Sequence, residues 1–285
     1  MRDLLSAAGS VSRRPSTILL LWLLICGGTP VVSASAPSAG ADEPTYKTGY
    51  KSMRMLGLDL WKALKPKFRK QIHPEPISFE TDVTPFVHVV EFPNDPEPMR
   101  MVFISVGFID LVNNIAHAKA IDRIQKGYFK QYVLSLAQES GEKELKELPG
   151  LSDKRFWTED VLNEQLSNFN QIVGVVVGIK LAHHYLGQYL KYKDELKDDA
   201  QHHTVSINNL LTPKEWDAAL RCGVIDALNC GLSIEGVEAL YDAIDEMPKR
   251  PPWTVNFLPD QVNVKGLKKE MKKMEREFFS GKNLE

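Results

Sequence analysis

Cysteine is scarce: the 285-residue chain holds three, and one of them, Cys26, sits in a leader-like stretch. The two that follow, Cys222 and Cys230, are too few for the disulfide frameworks that hold small exported domains together. On one continuous helix they would stand about 12 Å apart, beyond the roughly 7 Å between Cα atoms that a bridge can span. A bridge would need the chain to bend between them, and two buried thiols is the simpler expectation. Two cysteines without a second pair also make a poor zinc site of the cysteine type. Long apolar runs are missing as well. The longest, Ile18 to Ile25, falls well short of the roughly 20 residues that span a bilayer.

That short run follows Arg13 and Arg14 and gives way to small residues from Ala34 to Ala41, the layout of a signal peptide. Ala39-Gly40-Ala41 fits the cleavage pattern, so residues 1–41 are expected to be removed and the protein to be periplasmic or secreted. An uncleaved anchor is the alternative. Losing this segment removes three arginines and one aspartate, which leaves 32 basic and 36 acidic side chains, a net charge of about −4. Such a balance excludes a nucleic-acid binder that depends on a concentrated basic surface. The remaining chain is long enough for one large core.

The mature chain divides into an N-terminal arm with strands (42–98), a core (99–247) and a C-terminal strap with an amphipathic helix (248–285). The pattern predicts a helix through Met53 to Phe68. Alternation and β-branched content from Ile77 to Glu91 predict strands, with Pro85 at an edge or break. After the turn at Pro93 to Pro98, the stretch from Met99 reads as a strand to Ile104 that enters a helix at Gly107. A helical pattern runs from Asp110 to Gln138, and Thr158 with Glu159 and Asp160 marks a helix start.

The most informative segment is Gln171 to Lys193, read as an apolar helix. Ile172, Val175, Val176, Ile179, Leu186, Tyr189 and Leu190 recur at helical spacing and predict one buried stripe. His183 shares that stripe, whereas His184 is turned about 100° away, so only one of the two is expected in the core. Asp194 to Gln201 reads as a charged, mobile loop with His202 and His203 solvated beside it. Another helix should carry Glu215 and end near Cys230, with Gly231 as its C-cap. Lys265 to Phe279 reads as a basic amphipathic helix that either caps the fold or lies on a membrane.

Gly178-Ile-Lys-Leu-Ala-His-His-Tyr-Leu-Gly-Gln-Tyr189 resembles the zinc-binding helix of metallopeptidases, in which H-E-x-x-H supplies two histidine ligands and a glutamate base. The resemblance is to gluzincins related to the CAAX prenyl endopeptidases and the bacterial heat-shock membrane proteases. Here Ile179 stands in the place of the first ligand, Lys180 in that of the base, and His183 matches the second ligand. Two further pieces are similar to that family. Phe103, Ile104, Ser105 and Val106 resemble its cleft strand, against which an extended peptide or protein partner would pair. Glu215 within Glu-Trp-Asp-Ala-Ala resembles its third zinc ligand, with Ala219 where the buttressing aspartate belongs.

The resemblance implies an α+β, predominantly helical fold, a zincin-like core with a small sheet on the active-site helix. It also implies a metal site that is largely lost. Two ligands hold zinc poorly, and an ammonium in the base position repels the metal and accepts no proton while charged. Zinc would return only in a rewired site, with His117 the best-placed substitute ligand. In the absence of metal, Lys180 is expected to pair with Glu215 and compensate its charge; the alternative is an exposed, snorkelling lysine. Three functions follow: a non-catalytic pseudopeptidase that binds a peptide or partner, an active zinc endopeptidase with unusual ligands, or a structural envelope protein. Membrane association would use the C-terminal basic helix or an uncleaved signal.

Overall fold

A helix that is apolar on every side has to run through a core rather than along its surface. The segment between Phe169 and Tyr185 is such a helix, and it forms the second half of α5 (Glu159–Tyr185), in which every residue from Ile172 to Tyr185 is buried. The computed structural model describes residues 46–93, 97–197 and 206–282. The leader at 1–41 and His202 and His203 lie outside the described residues.

Ahead of α5 the chain forms α1 (Tyr46–Ala63), α2 (Pro66–Arg69), β1 (Ile77–Glu80), β2 (Val87–Phe92), β3 (Met99–Ser105), α3 (Val106–Asp122) and α4 (Tyr128–Leu136). A short 3-10 turn at Lys154–Trp157 leads into α5, and α6 (Gln188–Lys197), α7 (Ile207–Leu210), α8 (Pro213–Asn229) and α9 (Glu235–Glu246) follow. A second 3-10 turn, Pro252–Asn256, precedes α10 (Val264–Phe279). The fold is therefore α+β and mostly helical, with one three-stranded sheet in the order β1-β3-β2. β1 runs parallel and β2 antiparallel to β3.

Several expectations need correction. The single stripe predicted for Gln171 to Lys193 is wrong in two respects. The helix began earlier, at the predicted Thr158 start, and is surrounded by α1, α3, α8, α9 and the sheet. It also stops at Leu186, because Gly187 takes a left-handed φ of +73° that turns the chain into α6. Leu186 and Leu190 consequently reach the surface, at 38% and 42% exposure. The segment from Asp194 is helical to Lys197 rather than loop. The pattern from Asp110 to Gln138 breaks into α3 and α4, with Gly127 at φ +89° between them. The C-terminal helix buries Val264, Leu267, Met271 and Met274 against α8 and α9, so its apolar face caps the core and is not available to a membrane.

Glycine sets the closest approach in the core. α8 runs antiparallel to α5, and a Cβ added at Gly223 would lie 2.4 Å from the Ile179 backbone nitrogen. Gly178 faces the Gly223 carbonyl in the same way, at 2.8 Å. A side chain on either residue forces the helices apart. Gly223→Ala is accordingly expected to lower stability by about 3 kcal/mol, the upper end of overpacking costs. Urea unfolding should show a reduced midpoint with an unchanged slope; an unchanged midpoint would mean that the crossing is not tight.

Candidate functional site

The C-terminal turns of α5 carry the motif positions, and burial decides what each can do. Ile179, at the first-ligand position, is 3% exposed and lies against the backbone of Gly223. Its place is taken by helix packing. Lys180, at the base position, is 2% exposed, and its Nζ donates to Asn208 Oδ1 at 3.4 Å. Burial brings its amine down to about pKa 7. Asn208 in turn donates from Nδ2 to the Val255 carbonyl at 2.9 Å. The lysine is thus tied through α7 to the C-terminal strap, whose Asn256 reaches the Pro85 carbonyl at 3.2 Å and whose Phe257 stacks on Phe108 at 5.2 Å.

His183 and His184 are both buried, at 0% and 2% exposure, contrary to the expectation that only one would face the core. The reason is the all-round burial of α5, which leaves no solvent side. They diverge as the helix geometry requires. His183 donates from Nδ1 to Gln188 Oε1 at 2.6 Å, and Gln188 Nε2 donates to the Glu215 carbonyl at 2.8 Å. His184 donates from Nε2 to the Met101 carbonyl of β3 at 2.8 Å. Burial, and then the neighbouring Lys180, hold His183 down to about pKa 3, and burial holds His184 down to about 4. Both are neutral side chains that pin α5 to its surroundings.

Glu215 does not reach this network through its carboxylate. Thr212 and Glu215 form a reciprocal capping box at the start of α8: Thr212 N donates to Glu215 Oε2 at 2.9 Å, and Glu215 N donates to Thr212 Oγ1 at 3.3 Å. The same carboxylate accepts from Lys191 at 2.7 Å and from Tyr192 at 3.0 Å. The Lys191 bond, followed by the Thr212 backbone, lowers its pKa to about 2. The expected Lys180–Glu215 pair is therefore replaced by Lys180–Asn208 and Lys191–Glu215, because Gln188 fills the space between His183 and Glu215.

The remaining candidates are also engaged elsewhere. His117 donates from Nε2 to the Phe156 carbonyl at 2.8 Å and stands edge-on to Trp157. Phe103, Ile104 and Ser105 lie in the central strand, with β1 registered on one side and β2 on the other, so this stretch cannot accept an added strand. Ser105 is spent on the backbone, accepting from Phe86 N and Phe108 N at 3.0 Å each, and Val106 opens α3. Gly107 is fixed by the crossing Asp82–Thr84 segment: a Cβ there would meet the Val83 carbonyl oxygen at 1.9 Å.

The residues present do not fit the zinc that the motif resemblance implies. His183 keeps one unpartnered buried nitrogen, Nε2. Glu215 is turned to the surface, and among the described residues no three His, Cys, Asp or Glu side chains gather as a metal set. Comparison of the chain with protein-family models, with curated proteins and with solved structures finds no match.

Sequence reasoning missed a second polar cluster. Tyr185 donates to Asp226 Oδ2 at 2.8 Å, Phe68 stacks on Tyr185 at 4.2 Å, and Cys222 and Lys65 lie nearby. Cys222 and Cys230 are free thiols, four residues before and after Asp226, and both are half-buried rather than buried as expected. The repeat Cys222, Asp226, Cys230 at four-residue spacing was the available signal. Burial raises the Asp226 carboxyl to about pKa 7.

Two pH-dependent outcomes follow. Asp226 has a folded pKa above its unfolded value, so its neutral form is favoured on folding. Stability from this group is complete below about pH 4 and falls as pH rises to 7. Asp226→Asn should therefore stabilise the protein at pH 8 by about 2 to 4 kcal/mol and leave it unchanged near pH 4, as thermal melts across that range would read. Lys180 has the opposite sense: its folded pKa lies below the unfolded one, and stability is lost as pH falls from about 10 to 7. Lys180→Met should raise the melting temperature most at pH 7 and below, with a shrinking gain toward pH 9. A gain independent of pH would show that the amine is not neutral in the fold.

Proposed function

We propose that the chain is an exported, non-catalytic protein with a metallopeptidase-like helical core, a pseudopeptidase that acts by binding rather than by hydrolysis. The observation that carries this reading is the buried Lys180. It stands where a carboxylate base belongs and is bonded to Asn208, which holds the strap at Val255. A base for hydrolysis has to meet water beside a metal, and this amine meets an amide in the core. His183 and Glu215 sit on either side of Gln188 as the remnant of a ligand pair, each with a structural partner of its own.

One further observation favours a purely structural role in the cell envelope. Trp253, Phe257 and Leu258 of the strap are 3%, 2% and 1% exposed and cover the start of α3 and the Asn208 link. A partner, if bound, meets the outer surface of the protein rather than an internal cleft.

Metal analysis of purified protein by mass spectrometry after mild dialysis decides the matter. Far less than one zinc per chain is expected, with no change in melting temperature on adding a chelator. Close to one zinc per chain, lost in His183→Ala or Glu215→Ala, would overturn the proposal and restore a peptidase.

A further inference from the structure

The most one-sided charge on the described surface lies on the N-terminal arm. Between Tyr50 and Lys70 the sequence places seven cations, Lys51, Arg54, Lys62, Lys65, Lys67, Arg69 and Lys70, against a single carboxylate, Asp59. The whole chain, by contrast, has a net charge of −2. α1 spends its inner face on the core, through Met53, Leu56, Leu60 and Leu64. That burial fixes which side chains look outward.

The outward stripe is Lys51, Met55, Leu58 and Lys62, spaced i, i+4, i+7 and i+11, which puts them on one line about 16 Å long. Met55 is 59% exposed and Leu58 is 37% exposed, in the middle of the line, with a lysine at each end. Close by in the chain, the exposed Lys67 of α2 and Lys70 just after it add two more cations. Three of the cations rest on aromatic faces rather than on carboxylates: Arg54 over Phe79 at 5.4 Å, Lys67 over Phe68 at 4.7 Å, and Arg69 over Trp61 at 5.5 Å. Contact with a ring positions a cation without cancelling its charge. The one acid of this stretch, Asp59, pairs with Lys62 at 3.5 Å in an exposed i,i+3 contact of the kind that contributes little; Lys65 lies beside Asp226 and is not counted in the face.

We propose that the outer face of α1 with α2 docks on an anionic lipid surface, the lysines and arginines meeting phosphate headgroups while Met55 and Leu58 enter the interface. Exposed apolar residues flanked by cations on a helix that lies flat are what such a surface selects. An acidic protein or a nucleic acid would use the cations and leave Met55 and Leu58 idle. The docking is peripheral, since no helix among the described residues is long and apolar enough to cross a membrane. It supplies the outer-surface partner that the proposed non-catalytic role calls for, yet it stands whether or not zinc binds.

The test is co-sedimentation of the full chain with vesicles of neutral phosphatidylcholine or with one-third anionic phosphatidylglycerol. The readout is the anionic-to-neutral ratio and its change in variants of α1 and α2, which leave the Arg13–Arg14 leader untouched. A ratio above tenfold is expected at 0.1 M salt, falling steeply at 0.5 M. Lys62→Gln with Lys67→Gln should cut anionic binding by about fivefold per cation removed. Met55→Ser with Leu58→Ser should weaken it severalfold at a melting temperature lowered by only a few degrees, because Met55 is largely exposed, Leu58 lies at the surface and serine costs a few tenths of a kcal/mol per helix position. Equal binding to both vesicles, or a ratio insensitive to salt and to the lysine changes, would overturn the proposal. So would a Met55/Leu58 variant that binds as the parent does, which would assign the cations to an acidic macromolecule.

Discussion

The close antiparallel contact of α5 on α8, backbone against backbone at Gly178 and Gly223, is the constraint on which the rest of this structure depends. It draws two helices together so tightly that Ile179 is locked against the α8 backbone at Gly223. The same contact fixes the height of α8 beside α5. Glu215 then falls one residue, Gln188, away from His183, and Asp226 falls within reach of Tyr185. Helix packing of this kind turns a row of potential ligands into a row of contacts.

Placing α5 at the centre obliges the protein to satisfy polar groups without water. It does so with neutral partners for one nitrogen of each side chain, leaving His183 Nε2 and His184 Nδ1 unpartnered. Lys180 meets an asparagine, His183 a glutamine and His184 a main-chain carbonyl. Among the described residues none of the three is hydrogen-bonded to a carboxylate, and desolvation favours the uncharged amine and imidazoles. The cost of burying three basic side chains within two helical turns is offset by what they connect: α5 to the strap through Asn208, to α8 through Gln188, and to the sheet through Met101. A hydrophobic helix alone would fix none of these registers.

Much of the fold was legible in the residues. The strand read from Met99 to Ile104, which runs to Ser105, the helix expected from Gly107, which opens at Val106, the helix start at Thr158, the end of α8 near Cys230 with Gly231 beyond it, and the amphipathic α10 all follow local rules of capping, glycine and periodicity. The depth of α5 was less legible. Helical spacing picked out one stripe, yet Val173, Val177 and Leu181 between the stripe positions are just as apolar, and counting them would have put the helix in the middle of the core. The site was hardest to read, because its partners come from far along the chain. Asn208 is 28 residues from Lys180 and Gln188 is 27 from Glu215, and no periodicity announces either.

Glu215 shows how one residue supports two readings. Within Glu-x-x-Ala it resembles a metal ligand on a downstream helix. Within Thr212-Pro-Lys-Glu215 it completes a capping box, with proline at the first helical position. The second reading uses only local geometry, and a cap holds its carboxylate at the helix N-terminus, where backbone donors and the helix dipole already favour its charge. To serve as a ligand, the same carboxylate would have to leave Thr212, Lys191 and Tyr192 and enter a region occupied by Gln188, beside an amine buried at Lys180. Each of those steps is uphill, and together they hold Glu215 in its cap and leave the histidines of α5 to packing.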